Sequence, residues 1–275
     1  MSDEPPVSPD KDLAAKVAGW LRTTGMPLEM SVARTFRRSG LDVVQSDFFL
    51  DPEEAVSREI DVIAGQHRTL GEHKTVGASL VIECKVAQKP WVMFVDGGKY
   101  AESAPSFERI TTHIGTHWLS NIQFDDVVRA LPLLQLQPRP GYGLATAHIG
   151  PKPSEKAKDI AYAAVLVATK AARVLASSRS DSCEILLPTV VLRGRLFKAW
   201  LDHDNELAVE EVKVGQLLWR NPSSGTELVI VDVVTEAALE EFAVDAKASI
   251  DNLVTATTEK VHKAYLNVLL SLIHI

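Results

Sequence analysis

The sequence predicts an α/β fold: a central mixed β-sheet flanked by helices, with extra strands and helices toward the C-terminus. Three observations predict it. A helical period (Leu28, Val32, Phe36) is followed by three short Val/Ile-rich runs joined by local turns. A long apolar helical run near residue 165 is followed by further β-type runs. The chain has 275 residues, 46% hydrophobic and 24% charged, the mix of a soluble globular protein with a large core.

The elements follow in order. Residues 1–10 are acidic and Pro-rich and read as a disordered tail. Residues 11–23 have helical composition, with Leu13, Val17, Trp20 and Leu21 on one face. Gly25 breaks that pattern, Pro27 opens a second helix and Gly40 closes it. Glu29 sits beside the buried stripe of this helix, where a carboxylate needs an explanation. Strands are expected at 41–50 (LDVVQSDFFL), 58–65 (REIDVIAG) and 78–86 (ASLVIECKV), with a turn at 51–57 and a polar loop from His67 to Gly77. Residues 90–154 are proline-punctuated and read as a loop-rich insertion with at most one or two short helices. A strong helix is expected from Glu155 to Ser177, with Ile160, Ala164, Val167, Ala171, Val174 and Leu175 on one face. Two hairpin-like pairs follow, 183–202 and then 207–219 with 226–234. Thr235 is expected to cap a final helical region.

Composition narrows the function. Cys84 and Cys183 make neither a disulfide framework nor a metal cluster, and they point to a reducing compartment. The N-terminus is unlike a signal peptide, and no run reaches the roughly 18 apolar residues of a membrane span, so a cytoplasmic location is expected. The net charge of −7 counts against a broad nucleic-acid grip. Residues 121–200 carry 11 basic and 6 acidic groups, and residues 201–275 carry 5 and 13. A basic face fits those counts; an ordinary solvated surface fits them better. The apolar stretch YLNVLLSLIHI at the C-terminus suits a core helix or a docking helix for a partner.

The residues that carry chemistry lie on the second and third strands. Side chains alternate between sheet faces, so Glu59, Asp61 and Ile63 share one face, and Val81, Glu83 and Lys85 share one. Paired as neighbours, the two strands bring Asp61, Glu83 and Lys85 together at the strand ends. Two carboxylates close together repel and invite a hard divalent cation, Mg²⁺ or Mn²⁺. A lysine beside them orients the attacking water, helps to deprotonate it, or offsets charge in a phosphoryl transition state. The backbone carbonyl of Cys84 is an expected extra oxygen ligand, and its thiol points into the core. Asp61→Ala and Lys85→Ala are each expected to abolish turnover, and loss of Asp61 to stabilise by relieving repulsion.

Asp61, a gap of 21 residues and then Glu83-Cys84-Lys85 resemble the PD-(D/E)xK nuclease superfamily, the restriction-endonuclease-like proteins. The resemblance implies a core of one helix, a three-stranded meander, a second helix and a fourth strand, and the element order here matches. It covers residues 27–85, and 155–192 more loosely. It implies an N-terminal tail and helix (1–24) before a single decorated domain (25–275), with an insertion at 90–154 and a C-terminal extension at 195–275. Asp61 and Glu83 would bind metal, Lys85 would assist the water, and Glu29 on the first core helix would support a metal or its water. The implied activity is phosphodiester hydrolysis, in DNA, with nucleic acid, a second copy or another protein as partner. One departure is Ile60 in place of the proline before Asp61. The alternatives are an inactive nuclease-fold binding module, or a partner-dependent subunit of a defence or repair assembly.

Other signals are weaker. Glu59 reads as a solvated or salt-bridged strand residue. His113 and His117 are four apart, but Gly115 lies between them and no H-E-x-x-H accompanies them. Trp91 suits sheet packing better than base stacking. Arg193, Arg195 and Lys198 suit phosphate contacts and a solvated hairpin tip equally. Gln88 and Gly97-Gly98-Lys99 lack the spacings of known motifs.

Overall fold

The computed structural model describes residues 11–70, 74–96, 107, 108, 110–116, 131–149, 159–220 and 228–273. It is an α/β protein with a large mixed sheet flanked by helices. Helices α1 (Lys11–Leu21) and α2 (Met26–Ser39) lead into a meander of β1 (Asp42–Asp51), β2 (Val56–Leu70) and β3 (Lys74–Val86). Then come β4 (Trp91–Val95), the short β5 (Phe107–Glu108) and β6 (Ile110–Thr111), β7 (Gly141–Thr146) and α3 (Ile160–Ser178). The chain continues through β8 (Cys183–Arg193), β9 (Leu196–Leu201), β10 (Leu207–Val212), β11 (Val214–Arg220) and β12 (Leu228–Thr235), and ends in α4 (Leu239–Ile273). The strand order is β1-β2-β3-β8-β12-β11-β7-β4-β9-β10, with β5 beside β12 and β6 beside β8.

Local chemistry explains the elements before the site. Pro27 lies in the first turn of α2, where a missing N–H costs nothing. Gly40 ends the helix at φ 92°, its N–H closing on the carbonyls of Phe36 and Arg37. Leu28, Val32, Ala33 and Phe36 of α2 are buried with Val62, Leu80 and Ile82 of the sheet and with Ala246, Ile250 and Leu253 of α4. On the opposite face, Ala171, Leu175 and Ala176 of α3 pack on Ile63, Val81 and Leu186. Helix α3 is long and apolar enough to cross a membrane by length and composition, and half of that stretch is buried in this protein. The apolar stripe of α1 is exposed at Leu13, Val17 and Trp20.

Strands β3 and β8 are parallel, with Glu83 opposite Val190 and Lys85 opposite Leu192. Both then bend and continue as β4 and β9, which are also parallel. The bend is held by Ala87 N–H to the Arg193 carbonyl and Trp91 N–H to the Arg195 carbonyl, each 2.9 Å. A Cβ on Gly194 would lie 2.9 Å from the Ala87 carbonyl oxygen, so the close approach of the two bends requires glycine. The curl encloses Trp91, Met93, Leu196, Leu217, Val231 and Val233.

Several expectations are corrected here. The insertion is not loop-rich throughout, because β4 and β7 are sheet strands, β4 antiparallel to β7. The polar segment from His67 to Gly77 continues the β2–β3 ladder, with His67 opposite Gly77. Arg68 and Thr69 are exposed, so no buried alternation marks the β2 side of it. Strands β8 and β9 do not form a hairpin. Strand β8 is buried along nearly its whole length between parallel neighbours, which is what its near-continuous apolar run encodes. Strand β10 pairs with β9, while β11 and β12 pair as expected.

The helix expected from Glu155 starts at Ile160, because the Asp159 side chain accepts the N–H groups of Ala161 and Tyr162; residues 150–158 lie outside the described residues. Its buried face is Ala161, Ala164, Val165, Ala168, Ala172 and Leu175, and Ile160 is exposed. Thr235 occupies the cap position before the turn Glu236–Ala238, but its hydroxyl makes no cap bond and has no partner among the described residues.

Two buried carboxylates tie the meander to its neighbours. Burial pushes Asp51 up, but the N–H groups of Glu53 and Glu54 and the cations Lys170 and Arg58 prevail and hold it down to about 2. Burial likewise pushes Glu184 up, and His67, Arg179 and Ser182 bring it down to about 2. Both folded values lie below the unfolded values of roughly 4. Their stabilisation is therefore present above about pH 4 and is lost as pH falls toward about 2. Urea unfolding at pH 7, 4 and 2.5 should show a steady loss of stability that is shallower in Glu184→Gln. Equal slopes in the two proteins would contradict this.

Candidate active site

Asp61, Glu83, Lys85 and Glu29 form one electrostatic cluster at the end of the β2–β3 ladder. The ladder runs from Leu70↔Lys74 to Val62↔Ile82 and stops one residue short of Asp61. There the Asp61 carboxylate substitutes for the backbone, and its Oδ2 accepts the Cys84 N–H at 2.7 Å. Its Oδ1 has no hydrogen-bond partner among the described residues. Glu83 is 5% exposed, and its Oε1 forms an ion pair with Lys85 Nζ. Residues 83 and 85 share a face by alternation, which is why this pair forms. Glu29 lies in the first turn of α2 beside Gly25, and its carboxylate has no ion-pair or hydrogen-bond partner among the described residues. Cys84 is buried with the α2 and α4 side chains, and burial pushes its thiol well above the usual range, which disfavours the thiolate.

The charges in this cluster oppose one another. Burial raises Glu83 to about 7, with the Asp61 charge adding to the effect and Lys85 opposing it. Burial also raises Asp61, against the Cys84 N–H and Lys85. Glu29 is raised by burial, then by the charges of Asp61 and Glu59. Burial pushes Lys85 down, but Glu83 and Asp61 overcome it and hold the ammonium protonated. Three crowded carboxylates with raised proton affinity around a single lysine are a poor arrangement for stability alone. They are a fitting donor set for a divalent cation, which would replace the protons.

The sequence expectation for the faces needs correction. Asp61 does not sit in regular alternation with its neighbours: Ile60 and Ile63 both pack on the α3 side, while Val62 packs on the α2 side. Glu59 is exposed and acts on the site only through its charge, which raises Asp61 and Glu29.

The weaker signals resolve mostly against function. Trp91 is fully buried in the curl and cannot stack on a base. Arg193 is bidentate to Glu236, and Arg195 to Glu211, so the phosphate reading loses both. Lys198 donates to the Arg139 carbonyl. Arg139 itself lies over the Trp200 ring and Arg179 pairs with Glu184, so these described cations are held in local contacts. His113 is exposed, while His117 and Gly97-Gly98-Lys99 lie outside the described residues. Gln88 is exposed in the connection after β3.

A cluster that sequence reading missed is Asp202, His203 and Asp204, whose ligand atoms lie within 4.8 Å of one another. It occupies the exposed β9–β10 turn, and Asp202 Oδ1 is already committed to the N–H groups of Asp204 and Glu206. Comparison of the chain with protein-family models, with curated proteins and with solved structures finds no match.

Proposed function

We propose that this chain is a metal-dependent nuclease of the PD-(D/E)xK type, hydrolysing phosphodiester bonds in DNA with Mg²⁺ or Mn²⁺. The observation that carries the proposal is the crowding of Asp61 and Glu83 around Lys85 where β2 leaves β3, with the partnerless Glu29 carboxylate in the same field. The order α2, β1-β2-β3, α3 and then β8 parallel to β3 supports a restriction-endonuclease-like core.

The roles follow from the chemistry. Asp61, through its free Oδ1, and Glu83 would hold the cation, with the Cys84 carbonyl as a further oxygen. The chemistry supplied by a divalent cation there is polarisation of a phosphoryl oxygen. Lys85 stays an ammonium in this field, so its part is to orient the water and offset developing negative charge, rather than to remove a proton. Glu29, already raised, is suited to take up a proton or to hold a water by hydrogen bond.

A second reading has its own observation. The chain carries a net charge of −7, and Arg179, Arg193 and Arg195 are committed to carboxylates. That surface suits a nuclease-fold binding module, or a subunit whose partner supplies target recognition. Calorimetric titration with Mn²⁺ bears on both readings. Wild type should bind and Glu83→Gln should bind at least about 10-fold more weakly. Because protons compete at Glu83, binding should tighten as pH rises through about 7 and release fewer protons at pH 8.5 than at pH 6. Absence of Mn²⁺ binding by wild type would remove the catalytic reading and leave the module.

A further inference from the structure

The β1–β2 ribbon changes sides at one place. On its first half, Val43 packs against the α2 cluster and Gln45 Oε1 accepts from Arg37 of α2 at 3.0 Å. Further along β1, positions of the same parity face α3: Phe49 lies in the α3 cluster and Asp51 meets Lys170. Strand β2 does the same. Val62 and Ala64 lie with α2, while Ile60 lies with α3 and Arg58 pairs with Asp51. In a regular strand, residues two apart stay on one face, so both strands roll over together between 45 and 47 and between 60 and 62.

The pair at the centre of the roll is Ser46 and Asp61. It is the single gap in a register that otherwise runs from Asp42↔Gly65 to Asp51↔Val56. Ser46 has φ 52°, in the left-handed region that non-glycine residues rarely adopt. Strand β2 parts from β3 at the same residue, Asp61.

We infer that Ser46 is a positioning residue for Asp61: its left-handed backbone rolls the ribbon, lifts Asp61 off the β3 ladder and delivers the carboxylate to the Cys84 N–H. The inference rests on the reading of Asp61 as a metal ligand. A left-handed residue within a strand reverses the facing of the residues after it, and β2 must turn with β1 because it stays paired on both sides of the gap. The cost of that backbone is retained at the site rather than relaxed elsewhere. Serine tolerates the conformation, glycine and asparagine favour it, and β-branched residues oppose it.

The test compares wild type with Ser46→Gly, Ser46→Asn and Ser46→Val, with Ser46→Thr in place of the valine variant if that one does not fold. Two quantities are read: hydrogen-exchange protection of the Cys84 amide, and affinity for Mn²⁺. Ser46→Val should lose about 10-fold or more of the Cys84 protection while the Leu80 and Ile82 amides keep theirs. It should also bind Mn²⁺ about 10-fold more weakly. Ser46→Gly and Ser46→Asn should match wild type within about 2-fold. Unchanged Cys84 protection in Ser46→Val would overturn the inference, as would a loss shared equally by Leu80 and Ile82. If wild type binds no Mn²⁺, the metal reading fails alone, and the Cys84 amide still decides the role of Ser46.

Discussion

Asp61→Asn should reduce turnover by about 10³-fold or more while leaving the protein as stable as wild type or more so. Asparagine keeps an oxygen for the Cys84 N–H, so the bond that replaces the ladder survives. It removes one negative charge from a cluster in which burial and mutual repulsion raise Asp61, Glu83 and Glu29 together. Relief of that repulsion should raise the melting temperature by a few degrees, the scale of about 1 kcal/mol in a chain this size. Asp61→Ala differs, and here the expectation from sequence is revised. Alanine relieves the same repulsion but strands the Cys84 N–H, a loss of about 1–3 kcal/mol for a buried donor. The two variants should therefore be equally inactive and differ in stability, asparagine above alanine. Turnover of Asp61→Asn within about 10-fold of wild type would remove Asp61 from the chemistry.

Lys170→Met should destabilise the fold by about 3 kcal/mol, the largest stability effect expected of a single change here. Asp51 is 0% exposed, and its two oxygens are held by Lys170 and Arg58, with Glu53 also on Lys170. Methionine fills the space of the lysine stem but leaves Asp51 with one cation instead of two. Breaking a buried pair from one side costs more than never having had it, because the remaining charge stays desolvated. The network also joins the far end of the rolled β1–β2 ribbon to α3. Loosening it should therefore raise exchange at the ribbon tip before the rest of the sheet opens. Urea unfolding with an unchanged slope and a lower midpoint is the expected pattern. A shift below about 1 kcal/mol would show that Arg58 alone satisfies Asp51.

The parts of this molecule legible in the sequence are those where one local rule decides. Gly25, Pro27 and Gly40 bracket α2, and the buried stripe Leu28, Val32 and Phe36 is as periodicity requires. Val/Ile context placed Asp61, Glu83 and Lys85 on neighbouring strands, and these do pair antiparallel. The features that were not legible depend on partners distant in sequence, on a choice among neighbouring caps, or on one backbone angle. The run from Cys183 to Leu201 looks like a hairpin around Gly194, yet each half pairs with strands about 100 residues upstream. The start of α3 was misplaced because Asp159 competes with several earlier polar residues as a cap, and only its bonds to Ala161 and Tyr162 distinguish it. Asp51 read as the first residue of a turn, and no sequence signal announces that Lys170, 119 residues on, will bury it. Ser46 is the clearest case: serine carries no preference for φ 52°, so the roll that turns Asp61 toward Cys84 leaves no trace in the sequence.

Hydrolysis at Asp61, Glu83 and Lys85 is open to direct assay. Supercoiled, linear, single-stranded and branched DNA, together with RNA, are incubated with wild type or Lys85→Ala in Mg²⁺ or Mn²⁺. Wild type should cut at least one DNA form in a metal-dependent way, and Lys85→Ala none. Cutting of no substrate by wild type, or equal cutting by both proteins, would contradict this.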